Sequence, residues 1–457
     1  MSSARIGLVA AWLIAAAVPA QAEPEADTGF SFGSYGRVLV GSDLRGGTPE
    51  PIRVVAHGAR IVEPSYLELD LAYRFLTRTG TRVRTVTTVA FDDSLFHYTG
   101  DFDARPALRN LFAEAALPTG WSVWVGSRMY RGDDIYLLDY WPLDDQNTLG
   151  GGARFACGPL DVAAHVGANR LLDDLQFQQR DVPDPEQGAT TITQLDRQRT
   201  IASATGSYQF LDDGPGDLDA KIKLHAEFQA LPSGDRRRAD ATLEHLPRDY
   251  GAAIGAQLGV WGPARAPGYQ HHANLFARWS QGLAAFDELA PPFGFDRSLE
   301  TFPRASELVL GLSGAWDDPL GHALVGGYAR RFVDADRNRA DRDDGWEYNV
   351  DARPLARVVP DLYAGADLSF QARFPRGLNP TTQLAADPAI AQIAPMLVYS
   401  PMGPGAYARP QLRLVYRAAY LNQAARDEYV PDDPRRGHAW VHFLGVQAEW
   451  WFNSSYR

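Results

Sequence analysis

Three short stretches of the chain place an aromatic side chain two positions away from a charged one. They are Tyr35 with Arg37, Tyr66 with Glu68, and Trp451 with Glu449. Residues two apart lie on the same face of a β-strand, so each pair would share one face. An aromatic plane can stack on the apolar C–H face of a sugar ring, while a neighbouring charged group bonds the ring's hydroxyls. The pattern predicts non-covalent sugar recognition, although aromatic residues could also simply fill a narrow interior.

Few residues in the sequence are arranged as covalent catalysis or metal binding would require. Gly29–Gly33 fits the G-x-S-x-G pattern of hydrolases around Ser31. That pattern requires a buried strand before the serine and a helix after it, whereas here a strand follows. Cys157 is the single cysteine, which excludes an intramolecular disulfide and a thiolate metal cluster. We expect no metal and no cofactor, and an exported enzyme acting through Ser31 stays an alternative.

The elements that would position these residues are β-strands of about ten residues. From Pro64 to Phe75, leucines occupy one face and acids the other. Such segments recur from Ser34 to Phe452, separated by stretches rich in Gly, Pro, Asp and Asn, as turns require. About 435 residues follow residue 22. At roughly 24 residues per strand and connection, they make about 18 strands.

A membrane barrel is favoured over one large or several small sandwiches. A wide barrel collects the charged strand faces around an aqueous lumen, whereas a sandwich leaves them on both outer surfaces. The stretches Asp43–Glu63 and Pro375–Pro401 suit long loops on the outward-facing side of such a barrel. At the carboxyl end, Trp450 and Phe452 would face lipid and Trp451 would face the lumen.

The amino terminus and the charge indicate export. Met1–Ala22 carries one basic residue, the apolar run Ile6–Val18 and a small-x-small end, which predicts a cleaved signal peptide before one barrel domain, 23–457. The formal net charge of −12 makes nucleic acid an unfavourable partner. Of 44 basic residues only Lys221 and Lys223 are lysines, a scarcity that we attribute to codon usage.

Several motifs resemble the maltoporin family, the trimeric sugar-specific porins of outer membranes. They are Phe32-Gly-Ser-Tyr-Gly-Arg37, Tyr66-Leu-Glu-Leu69, Arg105-Pro-Ala-Leu-Arg109, Trp124-Val-Gly-Ser-Arg-Met-Tyr130, Asp134-Ile-Tyr-Leu-Leu-Asp139-Tyr-Trp141 and the terminal strand. The resemblance implies a third loop that folds inward and narrows the channel. It assigns the sugar path to Tyr35, Tyr66, Trp141 and Trp451, and the constriction and hydroxyl binding to Arg37, Glu68, Arg109, Asp134 and Asp139.

The sequence also departs from the family pattern. Gly132 stands where the family has a constriction arginine, which Arg131 could replace only by reaching round the backbone. The family's first loop carries a disulfide that this chain cannot form. For the aromatic residue that reaches in from a neighbouring subunit, Tyr98 and Phe102 are the nearest candidates. Five residues follow Phe452, where the family's chains stop at the terminal aromatic.

Together these observations predict an outer-membrane barrel through which maltooligosaccharide-type sugars diffuse along aromatic planes and past a charged constriction. No chemical step is expected. The partners would be sugars, outer-membrane lipid and further copies of the chain in a homotrimer. A general diffusion porin without a sugar site stays open, because opposed charges across a constriction can serve only to orient water and set ion preference.

Overall fold

The computed structural model describes residues 28–92, 96, 100, 105–212, 218–262, 271–294, 301–336 and 342–455. The predicted signal peptide, together with Tyr98 and Phe102, lies outside the described residues. Within them, 18 antiparallel strands form one closed sheet, and two further hairpins lie in the connections. The prediction of an all-β barrel of about 18 strands is confirmed.

Strands are numbered in chain order, and the barrel omits the hairpins β8–β9 and β12–β13. The strands are β1 (Gly29–Ser42), β2 (Tyr66–Leu76), β3 (Arg82–Asp92), β4 (Arg105–Ala116), β5 (Trp121–Arg131), β6 (Asp145–Cys157), β7 (Leu160–Asn169), β8 (Phe177–Asp184), β9 (Gly188–Asp196), β10 (Arg199–Asp212), β11 (Asp219–Leu231), β12 (Gly234–Arg237), β13 (Leu243–Leu246), β14 (Asp249–Trp261), β15 (His272–Gly282), β16 (Ser306–Asp318), β17 (Gly321–Val333), β18 (Gly345–Val359), β19 (Leu362–Pro375), β20 (Ala389–Tyr399), β21 (Gln411–Leu421) and β22 (Trp440–Phe452). A short helix, Gln423–Arg426, follows β21.

The last strand closes the barrel on the first. Tyr35 lies opposite Trp451, and Gly36 lies opposite Trp450. The Trp450 indole packs on the outer face over Gly36, where an added Cβ would lie 2.0 Å from the ring. Phe452 is exposed on the same outer face. The predicted alternation at the carboxyl end therefore agrees with the structure.

The outer surface of the barrel is apolar. On β2, for example, Leu71, Tyr73 and Phe75 are exposed at alternate positions, as are Ile222 and Leu224 on β11. Exposed apolar area on this scale is stable against lipid and not against water. Within the described residues, no helix is long and apolar enough to span a bilayer.

The connections alternate between long loops at one end of the barrel and shorter turns at the other. L1 is the loop of residues 43–65, L3 that of 132–144 and L6 that of 283–305; T8 is the last turn, 400–410. As expected from the sequence, Asp43–Glu63 forms a long loop at the long-loop end of the barrel, but L1 then folds into the lumen. Its Ile61 and Val62 pack against Met396 and Phe443 on the inner face. An apolar loop is stabilised by that apolar wall.

The expectation of one loop from Pro375 to Pro401 is wrong, since strand β20 lies within it. Apart from the inward Gln392, this strand is apolar on both faces, with Ile390 and Val398 buried and Ile393 and Leu397 exposed. Its inner face packs against L1 and its outer face against lipid, so the alternation that marks the other strands is absent.

Candidate functional site

L3 is the inward-folded loop that the sequence predicts. It leaves β5, crosses the lumen and makes a 3-10 turn at Tyr136–Leu138. On the far side, Ile135 and Tyr140 pack in a buried cluster with Val309 and Tyr328 of β16 and β17. The loop is therefore anchored on the opposite wall and narrows the space between.

The two lysines tie the ends of L3 to β11. The Lys221 Nζ donates to Asp133 Oδ2 at 2.7 Å, and the Lys223 Nζ donates to Asp144 Oδ2 at 2.7 Å. Burial alone would raise the pKa of Asp133, but the charge and hydrogen bond of Lys221, the hydrogen bond of Gln257 and the charge of Lys223 together lower the pKa below its ordinary value. The lysines thus position L3, a role that sequence analysis missed when it attributed their scarcity to codon usage.

The structure explains why a glycine stands at position 132. A Cβ there would lie 2.1 Å from Asp144 Oδ1 and 2.5 Å from Lys223 Nζ, so the Lys223–Asp144 pair occupies the space of a side chain. The neighbouring Arg131 does reach the lumen. Its guanidinium carbon lies 3.8 Å from the centre of the Trp141 ring. Arg131 therefore supplies a cation at the constriction beside Trp141.

The four predicted sugar-path aromatics come together in one cluster. Tyr35 and Trp141 are buried, and Tyr66 and Trp451 are half-buried against them. The Tyr35 ring centre lies 6.0 Å from that of Tyr66 and 6.5 Å from that of Trp451. Because Tyr35 is 0% exposed, no solute can reach its ring in this conformation.

Two predicted charged residues join Tyr66 in a compact network. Arg109 Nη1 lies 2.6 Å from Glu68 Oε1 and donates to the Tyr66 hydroxyl at 2.5 Å, and that hydroxyl also bonds Glu68. Glu68 is fully buried, whereas part of Arg109 is exposed. Of these three residues, Arg109 lines the cavity on the loop side of L3.

The remaining predicted charges lie on L3 and opposite it. Arg37 pairs with Glu63 of L1 at 3.0 Å and with Asp139 of L3 at 3.7 Å. Asp139 adopts a left-handed backbone conformation that ends the 3-10 turn and faces the loop side of the lumen. Asp134 faces the turn side. The two aspartates thus lie on opposite sides of L3.

The carboxylate of Glu449, which the sequence pairs with Trp451, binds several side chains from distant parts of the chain, a role that was not predicted. It accepts from Arg413 Nη2 at 2.6 Å, Tyr136 hydroxyl at 2.7 Å, Arg409 Nε at 3.1 Å and Arg60 Nη2 at 3.3 Å. These five residues, which we call the Glu449 hub, are buried. They come from β22, β21, L3, T8 and L1, so one carboxylate joins both inward loops to T8.

T8 also folds into the barrel, from the turn end. Ala406 N–H donates to Asp317 Oδ1 of β16 at 3.1 Å, and the Tyr407 ring packs edge-on against Tyr136 of L3. The Arg409 guanidinium carbon lies 4.0 Å from the centre of the Trp451 ring. T8 thereby fixes the Trp451 indole from one side.

Two cavities lie on opposite sides of L3. The exit chamber, on the turn side, has a volume of about 800 Å³ and is lined by Trp141, Trp451, Trp261, Tyr407 and Asp134, with Lys221 and Arg131 among its charged residues. The vestibule pocket, on the loop side, measures about 240 Å³. Trp141 and Arg131 line both. Trp261, the last residue of β14, and Tyr407, in T8, were not predicted from the sequence to belong to the site.

The residues after Phe452 turn back into the barrel. Ser455 N–H donates to Asp70 Oδ2 at 2.8 Å, and the Ser455 hydroxyl donates to Asp70 Oδ1 at 2.7 Å. The same hydroxyl accepts from Asn110 Nδ2 at 3.1 Å. Ser455 therefore forms part of the exit-chamber wall.

The structure does not support a hydrolase site at Ser31. This residue lies inside β1, paired with Ala72 of β2, so the strand–turn–helix of a nucleophile elbow is absent. Among the described residues, no group of three or more His, Cys, Asp or Glu side chains could hold a metal ion.

A closed barrel of 18 strands with an apolar outer surface and inward-folded loops is the architecture of an outer-membrane porin. A family model described as LamB porin matches residues 30–452, so the chain belongs to the LamB porin family. The chain is an outer-membrane channel protein of a Gram-negative cell. Its family and its fold are those of channels and not of enzymes.

Solved structures of other outer-membrane channels are similar at low identity. OpdK of Pseudomonas aeruginosa, determined with vanillate, is 12% identical, with 93% of this chain and 98% of that chain covered and a TM-score of 0.45. OccAB2 of Acinetobacter baumannii is 10% identical, with 93% and 98% covered and a TM-score of 0.47. No curated protein sequence matches.

Proposed function

We propose that this porin conducts sugars of the maltooligosaccharide type and holds them weakly in the exit chamber. The observation that carries the proposal is the lining of that chamber. Trp141, Trp451, Trp261 and Tyr407 offer aromatic surface, and Arg131, Asp134 and Lys221 offer donors and acceptors. A cavity of about 800 Å³ falls in the size range of small-molecule sites, roughly 300–1,000 Å³.

The site differs from a continuous aromatic path through the lumen. Tyr35 is fully buried, and Trp451 is held between Tyr35 and Arg409 with part of its ring left accessible. We infer that a sugar contacts Trp141 and Trp451 at the constriction and then Trp261 and Tyr407 near the exit. Weak overlapping contacts allow fast release, as conduction requires.

Planar-bilayer recording with a panel of oligosaccharides tests the proposal. Sugar at millimolar concentration should block the ion current reversibly. In Trp451→Ala the half-blocking concentration should rise roughly two- to tenfold, because a stacked aromatic contributes about 0.5–1.5 kcal/mol, while the ion conductance changes little. The matched control is Trp450→Ala, which removes an indole of the same strand from the lipid face. Equal block in all three proteins removes Trp451 from the site.

A general diffusion porin is the second candidate, and the burial of Tyr35 and Glu68 favours it, since two of the predicted site residues are inaccessible. It predicts that no oligosaccharide blocks the current.

Homotrimer formation and cleavage after residue 22 complete the proposal. Mass determination of the detergent complex and sequencing of the mature amino terminus test them.

A further inference from the structure

A third cavity, which we call the side pocket, adjoins the exit chamber on the turn side of L3. It has a volume of about 310 Å³ and lies between the ends of L3 and the inner faces of β5 to β7, β10 and β11. Its floor consists of short side chains on the neighbouring strands β7 and β10, namely Ala163, Thr205 and Ser207. Arg128 and Lys221 line both the side pocket and the exit chamber, so a solute in the chamber can reach the pocket.

The lining of the side pocket is positively charged, in a chain whose formal net charge is −12. Five of its side chains are basic and three are acidic, an excess of two positive charges. Each acidic side chain already holds a basic one, and the pairs are Asp133 with Lys221, Asp144 with Lys223, and Asp161 with Arg154. The excess is therefore carried by Arg131, which pairs with Asp145 outside the pocket, and by Arg128.

The guanidinium group of Arg128 is held in a fixed position beside the pocket. Its central carbon lies 4.9 Å from the ring centre of Phe112, 5.4 Å from that of Trp124 and 5.6 Å from that of Tyr130. Its Nη1 donates to Glu114 Oε1 at 3.4 Å, which is long for a hydrogen bond between charged groups. Within the described residues, this is the only hydrogen bond of the group. The side chain is 21% exposed, so its other donors are accessible to a solute.

A compact oxyanion, such as a phosphate or carboxylate group, matches this lining. An oxyanion accepts several hydrogen bonds, and the pocket supplies donors in the guanidinium groups of Arg128 and Arg154, the Lys223 ammonium group and the two hydroxyls of its floor. A neutral solute would not balance the excess positive charge, and a cationic solute would increase it. The volume, at the lower end of the roughly 300–1,000 Å³ of small-molecule sites, suits one such group with a short attachment.

We propose that the side pocket binds the oxyanion of an anionic sugar through Arg128, Arg154 and Lys223, while the sugar ring stays in the exit chamber. The position of the ring rests on the proposed sugar-channel function, whereas the oxyanion site rests on the side pocket alone. The channel therefore accepts sugars that carry a phosphate or carboxylate group in addition to neutral oligosaccharides.

Block of the ion current in planar bilayers tests the oxyanion site. Glucose 6-phosphate and glucose are each added on the turn side at an ionic strength of about 0.1 M, where charges closer than about 10 Å still interact. Glucose 6-phosphate should reach half-block at a concentration about tenfold lower than glucose, the effect of one charge-assisted hydrogen bond. In Arg128→Gln this difference should fall to about twofold or less. Asp161→Asn releases Arg154 for the ligand and should instead strengthen block by glucose 6-phosphate, a gain that a merely structural role does not predict.

The matched control is Arg82→Gln, which removes an arginine from the inner face of β3 near its turn end, outside both cavities. It should change block by glucose 6-phosphate less than about twofold. Inorganic phosphate should compete with glucose 6-phosphate in the unaltered channel, which separates recognition of the oxyanion from recognition of the ring.

Equal block by glucose and glucose 6-phosphate, equal effects of Arg82→Gln and Arg128→Gln, or no competition by inorganic phosphate overturns the oxyanion site and leaves the neutral-sugar channel in place. Block by glucose 6-phosphate without block by any neutral sugar has the opposite meaning: the oxyanion site stands and the neutral-sugar channel is overturned. Because the two pocket variants act in opposite directions, either one decides the question if the other fails to insert.

Discussion

Replacing Glu449 with alanine should release the loops that narrow the lumen. Glu449 is buried, and the side chains of Arg409 and Arg413 that pair with it are 1% and 6% exposed. Within the described residues, neither arginine has a second ion-pair partner, whereas Arg60 keeps Glu63 at 2.8 Å. In Glu449→Ala, two guanidinium groups therefore remain buried without a counter-charge.

The magnitude follows from the cost of breaking a buried ion pair. Removing one partner of such a pair costs about 3–5 kcal/mol. If the strands of the barrel stay paired, the lost free energy destabilises the contacts that hold L3 and T8 against the barrel wall. A loss of that size raises the population of released loops by a factor of roughly 10² to several thousand.

Single-channel recording measures this directly. Glu449→Ala should show a higher mean conductance and frequent current steps, while the unaltered channel stays quiet. Glu449→Gln should lie between them, because its amide oxygen still accepts one bond. Glu114→Ala is the matched control: Glu114 is also shared by two arginines, Arg84 and Arg128, but contacts neither L3 nor T8. A quiet Glu449→Ala channel of unaltered conductance, in a barrel that still migrates as folded, would refute the reasoning.

Three further predictions concern L3, the vestibule and the tail. Lys223→Met removes the ion pair with Asp144 and should add current noise in the same single-channel recordings. The added noise should be smaller than in Glu449→Ala, because Lys221 still anchors the other end of L3 to β11. Burial raises the pKa of Glu288 to about 8, so this carboxyl gains its charge as pH rises through 8. Cation selectivity from reversal potentials should increase between pH 7 and 9, and Glu288→Gln should flatten that increase. Deleting the tail after Phe452 frees the Asp70 carboxylate from Ser455 and should raise cation selectivity at pH 7; an unchanged reversal potential would place the tail elsewhere.

The strands could be predicted from sequence because lipid and water impose opposite demands on alternate residues. Where a strand meets lipid outside and an apolar loop inside, this contrast disappears. Strand β20 is such a case: its inward Met396 and Val398 pack against Ile61 and Val62 of L1. Its detection requires knowing that L1 folds inward, and L1 folds inward partly because β20 is apolar. Neither could be inferred without the other.

The side on which a site residue lies could be predicted, but its accessibility could not. The two-residue spacing correctly places Tyr35, Glu68 and Trp451 on the inner face. Whether an inward residue meets solvent depends on loops that are distant in sequence. Arg60 of L1 bonds the Tyr35 hydroxyl at 3.1 Å, which closes Tyr35 off. The lysines illustrate the same limit, because their acidic partners lie about 80 or more residues away.

The packing of the inward loops also determines which side of the lumen remains open. Between L3 and the wall of β16 to β21, the space is filled by L1 and by the apolar contacts of Ile135. The vestibule pocket on the loop side of L3 and the exit chamber on its turn side both border the opposite wall of the barrel, where L3 faces β5, β6, β11 and β14 through polar and charged residues. A solute that crosses this porin must therefore pass along the side of L3 that the two lysines hold. For that reason substitutions of Arg131 or Trp141, which line both cavities, should alter permeation more than substitutions of Tyr35, although Trp141 and Tyr35 were both predicted to lie on the sugar path.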